Sequence, residues 1–372
     1  MHRVLSIVEI LRTVFDFLDE PCNARNARVC KNWTSVALDH VWADAEPDVF
    51  RSLCPMHVTE STPVDDEDGI TKILTFSRRP LLNDWIPFLA NASRVRTWHD
   101  RSSTSDYKLS REAIADIGIT RPATPNFPNL SEMWIGTDEL EPFFMGESVK
   151  HLDVVVRHVP EEDVAESRTT WVFQNVADRL PHLSELCISY LDDDTPNYDG
   201  QIMALLDNVP KLQKLTLPIM CFDAKIAFTL ANHQDLHTIK LDIETPITFY
   251  TCSQDIRVMF SRVLPLPSGA FPSLHTIEFS SPNLNDASSF LFQPESPLRN
   301  LKQLSVHMRT VPFSEEIGRF TTKLATECPG LNGLSLAFHA LKYDDGVQLV
   351  STPTLEFQHF AIVSQLNSLT SL

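Results

Sequence analysis

The chain has 372 residues, 43% hydrophobic and 22% charged, which excludes a disordered polymer and leaves enough apolar material for more than one compact unit. Thirty-one Lys and Arg stand against 49 Asp and Glu, a formal net charge of -18. That sign opposes a phosphate backbone, and the densest basic spots, Arg78-Arg79 and Arg94 with Arg96, are too short to reverse it, so no nucleic-acid partner is expected. The seven cysteines, at 22, 30, 54, 187, 221, 252 and 328, are odd in number and form no Cys-x-x-Cys pair, the pattern of reduced thiols. Glu9, Arg12 and Asp16 interrupt the apolar N-terminus, and no run of eighteen apolar residues occurs. A soluble cytoplasmic or nuclear protein without a membrane partner is therefore expected.

From Val4 to Trp42 the sequence carries start and stop signals for three short helices. Ser6 with Glu9 three residues on predicts a capping box and a helix beginning near Ile7. Ile7, Ile10, Leu11, Val14, Phe17 and Leu18, widened by Phe15, fall on one helical face. Asp19 and Glu20 ahead of Pro21 close that helix and open a second. Val29, Cys30, Trp33, Val36, Ala37, Val41 and Trp42 keep helical spacing for a third, with Cys30 read as a packing residue on its apolar face. About forty residues cannot enclose so many large side chains without help, so part of this surface must dock elsewhere.

The phrases Leu5, Ile10-Leu11, Phe17-Leu18-Asp19, Val29-Cys30-Lys31 with Trp33, and Asp39 with Trp42 resemble the F-box motif. In that family the three helices bind a Skp-type adaptor, which links them to a cullin scaffold in a ubiquitin ligase. The resemblance implies that Leu5, Ile7, Ile10, Leu11, Val14, Phe15, Leu18, Val29, Cys30 and Trp33 form the adaptor face and its supporting core. Where the family has Leu-Pro, this chain has Leu5-Ser6, a departure that bears on adaptor affinity.

After residues 1-46, the stretch 47-126 reads as a connector. It holds the acidic run 65-68, an apolar piece from Ile70 to Phe76, a helix from Asp84 to Ala90, a strand at Val95-Arg96-Thr97-Trp98 and a helix capped by Ser110. Over 127-372 one phrase recurs: apolar, two variable, apolar, one variable, apolar. It gives Leu130-Met133-Ile135, Val149-Leu152-Val154, Leu183-Leu186-Ile188, Leu212-Leu215-Leu217, Leu236-Ile239-Leu241, Leu274-Ile277-Phe279, Leu301-Leu304-Val306, Leu331-Leu334-Leu336 and Phe357-Phe360-Ile362. The intervals, 19 to 38 residues, bracket those of leucine-rich repeats. Helical spacing lies between copies, at Gln201 to Leu206, Ala224 to Ala231, Ile256 to Val263 and Glu315 to Ala325. The fold class expected is therefore α/β: a three-helix F-box, then an irregular solenoid with parallel strands on the concave face and helices behind. This region resembles the degenerate leucine-rich repeats behind F-boxes, and the whole is similar in style to fungal F-box proteins. The family's asparagine after each strand is missing, its places holding Asp138, Leu191, Met220, Glu244 and His339, so little regular loop hydrogen bonding is expected.

Catalytic signatures are weak. No glycine-rich phosphate loop or Gly-x-Ser-x-Gly elbow occurs. His233 and His237 lack the glutamate of a zinc helix and read as surface or loop histidines, Cys54-Pro-Met-His57 stands alone, and the acidic runs lack the spaced ligands of a calcium loop. The expectation is a non-enzymatic protein without cofactor or metal: the substrate-recognition subunit of an SCF-type ubiquitin ligase, with the adaptor, through it a cullin, and a protein substrate as partners. An enzyme on a repeat scaffold, and an F-box/adaptor complex acting outside a ligase, remain as alternatives. Side chains alternate along a strand, which places Glu132, Trp134, His151, Asp153, Glu185, Lys214, Lys240, Asp242, Glu278, Gln303 and His307 on the outward face as the candidate substrate site.

Overall fold

The computed structural model describes residues 7–53, 56–61, 71–100, 107–123, 126–136, 144–156, 162–190, 198–242, 266–293, 296, 298–308 and 312–338. It divides into two compact units, the first comprising residues 1–154 with 178–182 and the second the remainder. Each is a mixture of helices and mostly parallel strands.

The first unit begins with α1 (Val8–Asp16), α2 (Glu20–Asn26) and α3 (Lys31–Val41). Ile7, in extended conformation, is the N-cap of α1 and makes no side-chain cap bond; the helix thus starts one residue later than the serine signal predicts, and Ser6 and Leu5 lie outside the described residues. Asp19 caps α2 as the sequence suggests, its carboxylate accepting the Cys22 amide at 2.9 Å, with Pro21 in the first turn. Cys30 is the extended N-cap of α3, which corrects its placement on an apolar helical face: Val29 and Cys30 belong to the turn before the helix. Leu11, Phe15, Val36 and Ala37 make a small core, with Ala27 and Trp33 packed against it. Buried Asn23 donates to the carbonyls of Phe15, at 3.1 Å, and Leu18, at 3.3 Å, closing the end of α1.

Helix α3 runs almost directly into β1 (Asp44–Ala45), which pairs in parallel with β4 (Thr97–Asp100), and β4 in turn with β6 (Glu132–Gly136). The first unit's strand order is β1-β4-β6-β7, with β7 at His151–Val156. The repeating sheet therefore starts at the end of the stretch 1–46, and its second strand lies inside the stretch that reads as connector. A second sheet is built of β2 (Met56–Ser61), β3 (Thr71–Phe76) and β5 (Tyr107–Leu109), β2 antiparallel and β5 parallel to β3. The helix expected from Asp84 is a 3-10 turn, Leu82–Trp85, continuing as α4 (Ile86–Ala92), and Ser110 caps α5 (Arg111–Thr120) through the Ala113 amide at 3.1 Å. Beneath the sheet, Phe50, Trp85, Phe88, Trp98, Phe127 and Phe144 form one aromatic core. Trp98 and Phe144 approach to 4.7 Å between centroids, and Phe50 stacks on Phe88 at 5.2 Å. Large rings bury most apolar area per residue, so this cluster dominates the unit's stability.

The second unit carries β8 (Glu185–Tyr190), β9 (Lys214–Pro218), β10 (Thr238–Asp242), β11 (Thr276–Ser281), β12 (Gln303–Met308) and β13 (Gly333–Phe338), neighbours in that order and all parallel in their described registers. Helices α6 (Glu162–Arg179), α7 (Asp199–Asn208), α8 (Ala224–Leu230), α9 (Leu284–Leu291) and α10 (Ser314–Glu327) alternate with them. The predicted triplets from Leu130 to Leu334 are buried in both units, with only Leu336, at the end of the eighth, half-buried; the ninth lies outside the described residues, as does the predicted helix Ile256 to Val263. Helix faces complete the core: Phe279 of β11 meets Phe290 of α9 at 5.2 Å, and Phe292 meets Phe320 of α10 at 5.8 Å.

One hydrogen-bond motif recurs at the strand starts of each unit. The carbonyl one residue after the first triplet position accepts two successive amides from the next repeat. Ala43 accepts from Arg96 and Thr97, Arg96 from Ser131 and Glu132, and Ser131 from Lys150 and His151. In the second unit, Ser184 accepts from Gln213 and Lys214, Gln213 from His237 and Thr238, His237 from His275 and Thr276, His275 from Lys302 and Gln303, and Lys302 from Asn332 and Gly333. A regular ladder thus exists, made of main chain at the strand entrance. Of the places expected for asparagine, only Met220 lies among the described residues.

Candidate docking surfaces

Two surfaces follow from how the elements expose their side chains. The first is the N-terminal helical unit. On α1 only Leu11 and Phe15 turn inward, whereas Ile7, Val8, Ile10, Val14, Phe17 and Leu18 are exposed, Phe17 by 85%. Val29 in the turn before α3 is exposed by 56%. An apolar stripe wider than the core it covers is costly in water, each fully buried side chain of this size being worth ~1.5–3 kcal/mol. Of the ten residues expected here, Ile7, Ile10, Val14, Leu18 and Val29 lie outward. Leu11 and Phe15 are core, while Trp33, edge-on to Phe15 at 5.6 Å, and Cys30 are half-buried. Leu5 lies outside the described residues. Val8 and Phe17 are additions, and the helical spacing of Val14, Phe17 and Leu18 already pointed to the second.

The other surface is the outward face of the strands. In the first unit it presents His99 of β4, Trp134 of β6 and His151 of β7 as a row of rings. His99 and Trp134 stack at 4.4 Å and 14°, and Trp134 and His151 lie 5.5 Å apart. Glu132 and Asp153 are half-buried on the same strands. His99 was missed because its strand carries Asp100, in register with Ile135, where the repeat phrase has its third apolar residue. At one end of this row an open cavity of about 570 Å³ is lined by Glu20, Trp42, Asp44, Glu46, Asp48, Tyr107 and His99, among others. Burial, with the neighbouring Glu46 and Glu20, pushes the Asp48 carboxyl above the usual range, while Arg51 acts in the opposite direction.

In the second unit the corresponding positions form ion pairs across adjacent strands. Lys214 reaches Glu185 at 3.2 Å, Lys240 reaches Glu278 at 3.5 Å, and His307 meets the same Glu278 at 3.4 Å. Lys214 and Gln303 are exposed, and Glu185, Lys240, Glu278 and His307 half-buried; the side chain of Asp242 lies outside the described residues. Neighbouring opposite charges satisfy one another, so this stretch is less free to recruit a partner's charge than the aromatic row.

The histidine pair is corrected in part. His233 is buried, and desolvation holds its imidazole below the ordinary pKa, so it is not a surface residue. His237 is half-buried and stacks on His275 at 5.1 Å. The acidic runs 65–68 and 192–194, and Cys54, lie outside the described residues. The five described cysteines are free thiols. Burial pushes Cys221 and Cys328 up to about 12. Among the described residues no three His, Cys, Asp or Glu side chains gather to hold a metal, and no helix is long and apolar enough to cross a membrane.

No protein-family model matches the chain, and no curated protein matches it. Seventeen chains of solved structures do. One, described as "Crystal structure of TLR13-ssRNA13 complex", aligns with 12% identity and a TM-score of 0.26 over 59% of this chain and 38% of that one. The chain thus spans well under half the length of that neighbour, and at this similarity the likeness carries no argument about function. The recurring strand-helix unit, with its buried triplets, stands on the chain's own geometry.

Proposed function

We propose that this chain is the substrate-recognition subunit of an SCF-type ubiquitin ligase, its N-terminal helices acting as an F-box that binds a Skp-type adaptor and its strands presenting a protein substrate. The observation that supports this reading is the exposed apolar stripe Ile7, Val8, Ile10, Val14, Phe17, Leu18 and Val29, set over a core of its own. A stripe of this kind is a docking surface for an apolar partner. Of the motif residues, Ile10, Phe17, Leu18 and Val29 belong to that stripe and Leu11 to the core beneath it. The outward strand face supplies an aromatic anchor, Trp134, among charges, the composition favoured where proteins bind proteins. In this reading the chain performs no chemistry: it holds adaptor and substrate together so that the ligase's other subunits act on the substrate.

The test is co-purification with an adaptor and then with a cullin. Val14→Asp with Phe17→Asp should abolish adaptor capture while leaving the fold intact, because both side chains already face solvent. Retained capture by this folded variant would refute the F-box assignment. Adaptor capture without cullin would favour a complex acting outside a ligase.

A further inference from the structure

We propose that the outward face of β4, β6 and β7, with the cavity at its end, binds an extended peptide segment bearing lysine or arginine. The proposal deepens the receptor reading, on which it rests for its biological setting, by naming the class of substrate segment.

Three observations in the first unit converge. The cavity is open, about 570 Å³, and four carboxylates line it: Glu20 from α2, Asp44 from β1, and Glu46 and Asp48 from the turn that follows. His99 lines the same cavity and stacks on Trp134, which adjoins His151, so the acidic cavity and the row of rings are continuous. Glu132 and Asp153 add acidic groups to the same strand face.

Acidic and basic groups meet at this place. Arg51 is the cation that counteracts Asp48, and its guanidinium also lies over the Tyr107 ring at 5.5 Å, with Lys72 on that ring at 5.0 Å. Glu46 and Glu20 act against the Asp48 carboxylate together with burial. A guanidinium or ammonium entering the cavity is drawn to the Glu20, Asp44 and Asp48 carboxylates that line it, where water is partly excluded and the attraction is strongest. The rings then take the next part of the ligand: an arginine plane stacks on tryptophan or histidine, and a lysine ammonium is drawn to the face of tryptophan. Two strand spacings separate β4 from β7, roughly 10 Å, or about three residues of extended peptide. A phosphate backbone or an acidic peptide is repelled by the same groups.

The experiment uses the full chain and fluorescein-labelled decapeptides of Gly and Ser carrying three arginines or, as the matched probe, three glutamates, with binding read by polarisation. The arginine peptide is expected to bind and the glutamate peptide not. Glu46→Gln with Asp48→Asn, and separately Trp134→Ala, should each weaken binding by about tenfold or more. Asp235→Asn with Glu315→Gln, exposed carboxylates of the second unit, should leave it unchanged. Equal binding of the two peptides overturns the proposal. So does equal loss in the second-unit variant, which would mean diffuse attraction to an acidic protein. Spermidine binding as tight as the peptide's and insensitive to Trp134→Ala overturns it too. Thermal melts of each variant confirm the fold, and the conservative amide pair remains informative if Trp134→Ala melts early. Adaptor capture is scored in parallel on the parent chain: adaptor captured with no arginine-peptide binding sinks this inference alone, and peptide bound with no adaptor captured sinks the receptor reading alone, while Val14→Asp/Phe17→Asp should lose the adaptor and keep the peptide.

Discussion

The N-terminal helices and the strands of the second unit use apolar residues in opposite ways. At β9 and the turn leading into it the triplet Leu212, Leu215 and Leu217 is wholly inside, while Lys214 reaches Glu185. In α1 and the residues flanking it, from Ile7 to Leu18, two large side chains are inside and six are outside. The strands have stacked neighbours that satisfy their hydrophobic face; the helices do not. Where a chain has the means to bury its apolar residues and leaves one group exposed, that group is the place to look for a partner.

The contrast can be tested by comparing buried and exposed positions of similar size. The largest effect is expected for Trp98→Ala in the aromatic core, which should cost ~3–5 kcal/mol in denaturant unfolding, with Leu215→Ala next at ~2–5 kcal/mol. Phe17→Ala should change stability by ~0.5 kcal/mol or less, since its ring is already in water. A loss at Phe17 comparable to that at Leu215 would mean the stripe is covered within the chain, and would break the comparison. Leu11→Ala also belongs with the core set, so loss of adaptor binding in that variant would report unfolding as much as lost contact.

Arg94 joins the two kinds of region within the first unit. It donates to the Ser35 carbonyl at 2.9 Å and pairs with Asp39 of α3, while its neighbour Arg96 enters the carbonyl ladder. The pair is part-exposed and so partly screened, and Arg94→Ala should cost about 1–2 kcal/mol. If the helices instead melt before the strands in the parent protein, seen as two transitions, that connection is weaker than its geometry implies.

Acid sharpens the comparison at one buried residue. His233 has a folded-state pKa depressed below 6.5 by burial, against the opposing pull of Asp207. The unfolded chain therefore binds the proton more readily. The stability this imidazole contributes is complete above about 6.5 and declines as pH falls from there through its folded pKa. His233→Phe should flatten that part of the pH profile; an unchanged slope would show that other groups control it. Comparably small to Phe17→Ala should be Lys214→Ala, an exposed pair with Glu185 worth ~0.2–1 kcal/mol.

The repeat phrase made most of the second unit legible because period-two burial leaves a direct mark on sequence: the triplets from Leu183 through Leu334 are buried. The first two strands were less legible. Asp44–Ala45 is too short to show a period, and the phrase begun by Val95 and Trp98 has Asp100 in place of its third apolar residue. Nor could spacing show the three-stranded sheet, since β5 pairs with β3 across the intervening helix and β4. At the candidate sites, the stripe on α1 was visible in helical periodicity. The cavity was not, because its walls come from α2, β1, β4 and β5, which meet only after folding.

The strand-entrance ladder bears on how this architecture can diverge. Its donors and acceptors are main-chain groups, and the residues that supply the carbonyls are as unlike as Ala43, Arg96, Ser131, Ser184, Gln213, His237 and Lys302. A side-chain ladder would forbid most substitutions at those places; this one permits nearly any residue except proline, which has no amide to give. Whole units could therefore be exchanged, lengthened or rewritten on their outward face while the next strand still finds its register. Selection on such a chain would act on the apolar triplets and on the binding surface, leaving the hinge positions between them to drift.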